Sequence, residues 1–142
     1  ELNAAHLYAQ LEKADEIYKD RMRTWDLYYK ELKEIGDWGR IDLPIIPKEC
    51  KHNAHMFYIK TKDLDERTEL IAFLKEHEIG AVFHYVPLHS SPAGRRFGRF
   101  CGEDIFTTRE SERLLRLPLY YGMSESDAYK VIEAIKEFYK ER

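Results

Sequence analysis

The sequence predicts an α/β domain, a two-layer sandwich in which a long N-terminal helix and further helices lie on one small sheet. Three observations predict it. Apolar residues recur at steps of three and four near both ends of the chain. Short runs of β-branched and aromatic residues separate those stretches. The length, 142 residues, suffices for one ordinary core, so we read residues 1–142 as one domain.

The first helix is justified by Leu7, Leu11, Ala14, Tyr18, Met22, Trp25, Tyr29, Leu32 and Ile35, which share one stripe, and Gly36 is expected to end it. Such a helix makes about nine turns at 3.6 residues per turn, more than a small sheet can cover. Its stripe, with Leu7, Leu11, Trp25 and Tyr29 along it, is therefore expected to serve in part a partner, in a homo-oligomer. Glu1 stands inside the pattern with no Met or capping residue ahead of it, which reads as a piece of something longer.

From Asp37 to Cys50 the spacing is lost, and Pro44 and Pro47 bracket Leu43 to Ile46, as in a loop or edge segment. His55 to Thr61 reads as a strand. Asp63 and Glu66 form a capping-box signature ahead of Leu70, Ile71 and Leu74, and Gly80 follows that helix. Ala81 to Val86 reads as a second strand, either parallel to the first through a βαβ-like crossover or antiparallel to it. Pro87 to Phe106 is expected to be irregular. Thr107 and Glu110 predict a cap for a short helix to about Leu114, and Leu115 to Tyr121 a strand that Pro118 demotes to an edge. Ser124 with Asp127 caps a last helix, whose Ala128, Val131, Ile132, Ile135, Phe138 and Tyr139 share a face.

Composition excludes several function classes. The 23 basic and 26 acidic side chains leave a formal charge of −3, the wrong field for general phosphate-backbone binding, so no nucleic-acid partner is expected. Aromatic content of 13%, with only five Pro and seven Gly, argues against disorder despite a mean hydropathy of −0.61. No apolar run approaches the roughly 20 residues of a membrane-spanning helix, so no membrane association is expected. Cys50 and Cys101 make no disulfide framework, which suits a reducing, cytoplasmic setting.

No P-loop, G-x-G-x-x-G, G-x-S-x-G or H-E-x-x-H stands in the chain. Cys50, His52 and His55 crowd within six residues but lack a second ligand pair, so no metal site is expected. The stretch His84-Tyr85-Val86-Pro87-Leu88-His89-Ser90-Ser91-Pro92 is the most informative, because it sets imidazoles, a phenol and hydroxyls where a strand gives way to a loop. His84 reads more readily as a sheet residue and Ser90-Ser91-Pro92 as a turn, whereas His89 stands between prolines with little packing reason to be there. Arg95, Arg96, Arg99, Arg109, Arg113 and Arg116 follow, a local excess that suits either phosphate or solvent. No lysine stands in a context that would lower its pKa, and no complete active site is legible.

Glu1-Leu2-Asn3-Ala4-Ala5 with Gln10-Leu11, and Phe83-His84-Tyr85-Val86-Pro87-Leu88-His89, are the runs that carry a resemblance. Nearly end to end, the chain resembles the C-terminal small domain of the DegT/DnrJ/EryC1/StrS sugar aminotransferases, fold-type I enzymes that use pyridoxal phosphate. The resemblance implies transfer of an amino group from glutamate to the C4 keto carbon of a dTDP-linked 4-keto-6-deoxy sugar. It also implies a large domain, absent here, that supplies the cofactor lysine, the acid facing the pyridine nitrogen and most of the phosphate cup. Pyridoxal phosphate is accordingly not expected on this chain alone, nor any catalytic residue within it. Tyr85, His89 and Ser90 are the positions the resemblance places near the nucleotide sugar. A free-standing ligand-sensing or interaction module is the competing class, since fold alone does not fix function.

Overall fold

The computed structural model describes residues 1–140. Helix α1 (Leu2–Leu11) precedes α2 (Ala14–Asp37), β1 (Phe57–Lys60), α3 (Leu64–Glu76) and β2 (Val82–Phe83). A single 3-10 turn (Leu88–Ser90), α4 (Pro92–Phe97), α5 (Thr107–Arg113), β3 (Leu114–Leu117) and α6 (Glu125–Lys140) complete the order. The expected two-layer α/β class holds: α2, α3 and α6 bury Tyr28, Leu32, Ile35, Leu70, Leu74, Ile132 and Ile135 with Phe57, Ile59 and Leu115 of the sheet.

The expected single N-terminal helix is two. The chain turns at Lys13, whose amide donates to the Gln10 carbonyl at 3.1 Å, and nothing in α1 is buried. The apolar spacing runs unbroken across this turn, so periodicity alone cannot reveal it. Trp25, expected to face a partner, is in the core: it stacks on Tyr29 and meets the Phe57 ring edge-on. The exposed part of the stripe is Leu7 and Leu11 on α1, with Tyr18 and Tyr29 beyond, and Tyr8 beside them on α1 is exposed too.

Gly36 does not end α2 either; Gly39 does. At φ +71° Gly39 takes the left-handed conformation, its amide donating to Gly36 and that of Arg40 reaching back to Ile35. Helix α3 ends in the same motif, with the Glu78 amide on Lys75 and the Ile79 amide on Leu74, but the left-handed residue is Glu78, at φ +60°, not the Gly80 expected from sequence. A Cβ makes that conformation costly.

The sheet runs β1-β3-β2, all neighbours antiparallel. Strands β1 and β2 therefore point the same way yet never touch, because β3 separates them, a split β-α-β unit. This corrects the expectation of an edge for the last strand. Leu114–Leu117 is the central strand, and it stops one residue short of Pro118, so the missing N–H never falls in the ladder. The second strand is shorter than Ala81 to Val86, and the segment before β1 joins the sheet only through the Asp42–Lys60 bridge.

Of the three predicted caps, two are made. The Glu66 amide donates to Asp63 and the Asp127 amide to Ser124, both at 3.0 Å. Thr107 does not cap α5; Asp104 accepts from the Thr108 amide instead. The region from Pro87 to Phe106, expected to be irregular, holds the 3-10 turn and α4, which Ser91 caps through the Gly94 amide with Pro92 in the first turn.

Replacing Glu78→Gly removes the left-handed penalty and is expected to raise unfolding stability by about 1 kcal/mol. Urea unfolding of the two chains measures it; an unchanged or lower midpoint would show that the Glu78 backbone carries no such cost.

Candidate functional site

The loop after β2 turns sharply at Pro87, where the Ser90 and Ser91 amides both reach the Pro87 carbonyl. The Ser90 hydroxyl donates to the same oxygen at 3.0 Å, and the Ser91 hydroxyl to Leu88 at 2.7 Å. These bonds close the turn and fix the backbone that carries His89. Gly94 on α4 lies so close beneath that a Cβ there would come within 1.7 Å of the Leu88 carbonyl oxygen. Only glycine permits that approach.

Leu88, His89, Ala93, Phe97, Arg99 and Phe100 line an open hollow of about 570 Å³ with largely apolar walls. The His89 ring rests against Phe100, centroids 4.6 Å apart. Its Nε2 lies 2.8 Å from Asp104 Oδ2 and 3.3 Å from Thr108 Oγ1. Asp104 also accepts from the Thr108 hydroxyl and, at 3.2 Å, from the Thr108 amide. The Thr108 bonds, above all the hydroxyl, and the adjacent His89 ring hold the Asp104 carboxyl below the usual carboxylate range, against some desolvation.

The three residues singled out from sequence are brought together only in part. His89 lines the hollow. Tyr85 stands 68% exposed, edge-on to His84, and the Ser90 hydroxyl is spent inside the turn. Asp104, Thr108 and Phe100 were not legible as site residues, because nothing in their spacing tells that the loop folds back on His89. The arginines separate. Arg113 is committed to Asp42 and the Thr61 carbonyl, both at 2.7 Å, and Arg109 to Glu110 at 2.8 Å. Arg95 and Arg96 are exposed on α4, and Arg99 alone lines the hollow. His52 packs on the Trp25 ring, and no cluster of metal-ligating side chains is present among the described residues.

A Schiff-base cofactor needs a lysine in a shielded site and a buried acid at the pyridine nitrogen. Among the described residues only Lys60 and Lys136 escape full exposure, and each is ion-paired, with Glu110 at 2.7 Å and Glu31 at 3.1 Å. Among the described residues the buried polar ones are Thr24 and Thr61, and neither is an acid. These donors do not fit pyridoxal phosphate.

A small α/β domain carrying a loop histidine over an apolar hollow is thus the class of structure at hand. The chain belongs to the DegT/DnrJ/EryC1/StrS aminotransferase family, which matches residues 1–136. Among curated relatives it is 31% identical over 142 residues to a pleiotropic regulatory protein of Geobacillus stearothermophilus, covering 99% of this chain and 37% of that one. It is 32% identical over 137 residues to the UDP-4-amino-4-deoxy-L-arabinose–oxoglutarate aminotransferase of Shewanella sediminis, covering 90% and 34%. Among solved structures, S. venezuelae DesV in complex with a ketimine intermediate superposes with a TM-score of 0.81 at 26% identity, over 98% of this chain and 36% of that one. The chain therefore spans 34% to 37% of the length of these proteins.

Two outcomes follow from the site. Gly94→Ala should cost about 1 to 3 kcal/mol and loosen the turn, seen as faster amide exchange over residues 88–97 with α6 unchanged; native exchange there would mean that the turn and α4 have room to part. Mixing the chain with pyridoxal phosphate and borohydride should give no stoichiometric adduct. Trapping on one specific lysine would overturn the reading of the donor set.

Proposed function

We propose that this chain is the C-terminal small domain of a pyridoxal-phosphate-dependent sugar aminotransferase whose large domain holds the cofactor. The observation that carries the reading is His89, raised on a rigid turn over an open apolar hollow, beside exposed Tyr85, Val86 and Leu88, in a chain of this family. In the reaction the amino group leaves L-glutamate, which becomes 2-oxoglutarate, and replaces the C4 keto oxygen of dTDP-4-keto-6-deoxy-D-glucose. The product is dTDP-4-amino-4,6-dideoxy-D-galactose, a building block of enterobacterial common antigen and related surface polysaccharides. The stretches His52 to Lys60, Leu74 to Arg96 and Glu110 to Leu119 resemble the dTDP-4-amino-4,6-dideoxygalactose transaminase of that route and support this substrate over its relatives.

Tyr85, His89 and Ser90 belong to the loop that faces the nucleotide sugar in this reading. The enzyme acts in the cytoplasm as a homodimer, and the exposed Leu7, Tyr8 and Leu11 of α1 are surface for the large domain or the second copy to cover. A second reading, a ligand-sensing module, draws on the name of the Geobacillus relative; the same hollow would then bind without transfer.

In the full-length protein His89→Ala is expected to lower kcat/KM for the dTDP-sugar by about 10- to 100-fold, the worth of one hydrogen bond of about 1.5 to 3 kcal/mol. The half-reaction with glutamate should keep its rate. Equal losses in both halves would assign His89 to folding or cofactor placement, and binding of the sugar nucleotide without any transfer would favour the sensor.

A further inference from the structure

We infer that Asp104 is a positioning residue, which with Thr108 fixes the His89 ring so that Nε2 carries the proton and Nδ1 is presented as an acceptor for a hydroxyl of the sugar. The inference rests on the role of His89 proposed above, and it goes further by assigning which ring nitrogen meets the ligand and what holds it there.

The assignment follows from counting hydrogens. The carboxylate of Asp104 has none to give, so its 2.8 Å contact with Nε2 needs an N–H on the ring. Thr108 Oγ has one, and that one goes to Asp104. Toward His89 the same oxygen can therefore only accept, so the 3.3 Å contact also needs Nε2–H. Both contacts demand one tautomer, and in the neutral ring it leaves a lone pair on Nδ1. That nitrogen has no hydrogen-bond partner among the described residues.

The holder is itself held. Asp104 caps the start of α5 through the Thr108 amide, and the Ser111 hydroxyl donates to the Thr108 carbonyl. Phe100 covers the ring and opposes its rotation about χ2. The side chains of His89 and Asp104 are only 21% and 20% exposed, so water competes weakly for the contact. Arg99 is the charged side chain that shares the hollow with His89, and it is suited to an anionic part of the ligand. The hydroxyl donor is thus left to Nδ1.

Long-range ¹H–¹⁵N NMR of the neutral His89 ring in the 142-residue chain tests the assignment directly and needs no variant. A ring protonated on Nε2 is the expected result; protonation on Nδ1 overturns the inference. In the full-length protein, Asp104→Ala should lower kcat/KM for the dTDP-sugar roughly ten-fold, and Asp104→Asn should not restore it, because its NH2 would replace one of two oxygens that both accept hydrogens here. Placed in a His89→Ala background, Asp104→Ala should cause no further loss. The same loss in both backgrounds would make Asp104 merely structural and overturn the inference. An unchanged enzyme in His89→Ala alone would instead sink the proposed role of His89, while the NMR result would still decide the tautomer.

Discussion

Every pairing between strands of the sheet passes through β3. Residues 57–60 and 82–83 have no contact of their own across the ladder, so neither strand has a partner until Leu114–Leu117 arrives between them. The register Phe57–Leu117 and Ile59–Leu115 sets both apolar pairs on the buried face, and a one-residue slip of β3 against β1 would turn Leu115 and Leu117 outward. The junction between α5 and β3 is clamped at the same place. The Thr61 amide and hydroxyl both donate to the Arg113 carbonyl, and Arg113 donates to the Thr61 carbonyl and to Asp42.

That clamp reaches the loop that carries His89. Helix α5 runs straight into β3, so fixing the strand fixes Thr108 near the start of α5, and Thr108 fixes Asp104 and the His89 ring. The loop after β2 would otherwise be tied only by its own turn bonds. The half-buried side chain of His89 is thereby given the orientation of an element anchored in the core.

Burial is uneven in a way that matches this division. The half of α2 from Thr24 onward joins α6 and the sheet in the core, with the Tyr28 hydroxyl satisfied by the Pro118 carbonyl at 2.8 Å while burial pushes the phenol's pKa up. Helix α1 contributes nothing to that core, and the ion pair at the turn after it, Lys13 with Glu16, is an exposed one of small worth. Among the apolar surfaces that remain open are α1, with Leu2, Leu7, Tyr8 and Leu11, and the loop after β2, with Tyr85, Val86 and Leu88.

The sequence by itself determined the α/β class, the helices with Asp63 and Ser124 as caps, the strand before Asp63 and the placing of His89 in a loop between prolines. These rest on local signals: periodicity, capping chemistry and an imidazole held between prolines. Only the tertiary structure decided that β3 lies in the middle, that the N-terminal stripe breaks at Lys13, and that Trp25 turns inward. Pairing order is a contest between strands distant in the chain, and apolar spacing is blind to a turn that preserves its phase. Asp104 illustrates the limit most plainly. As a letter in a loop of arginines, glycines and acids it carries no signal; its meaning comes from a hydrogen bond to a ring that the chain meets again only after α4 and the loop beyond it have folded back.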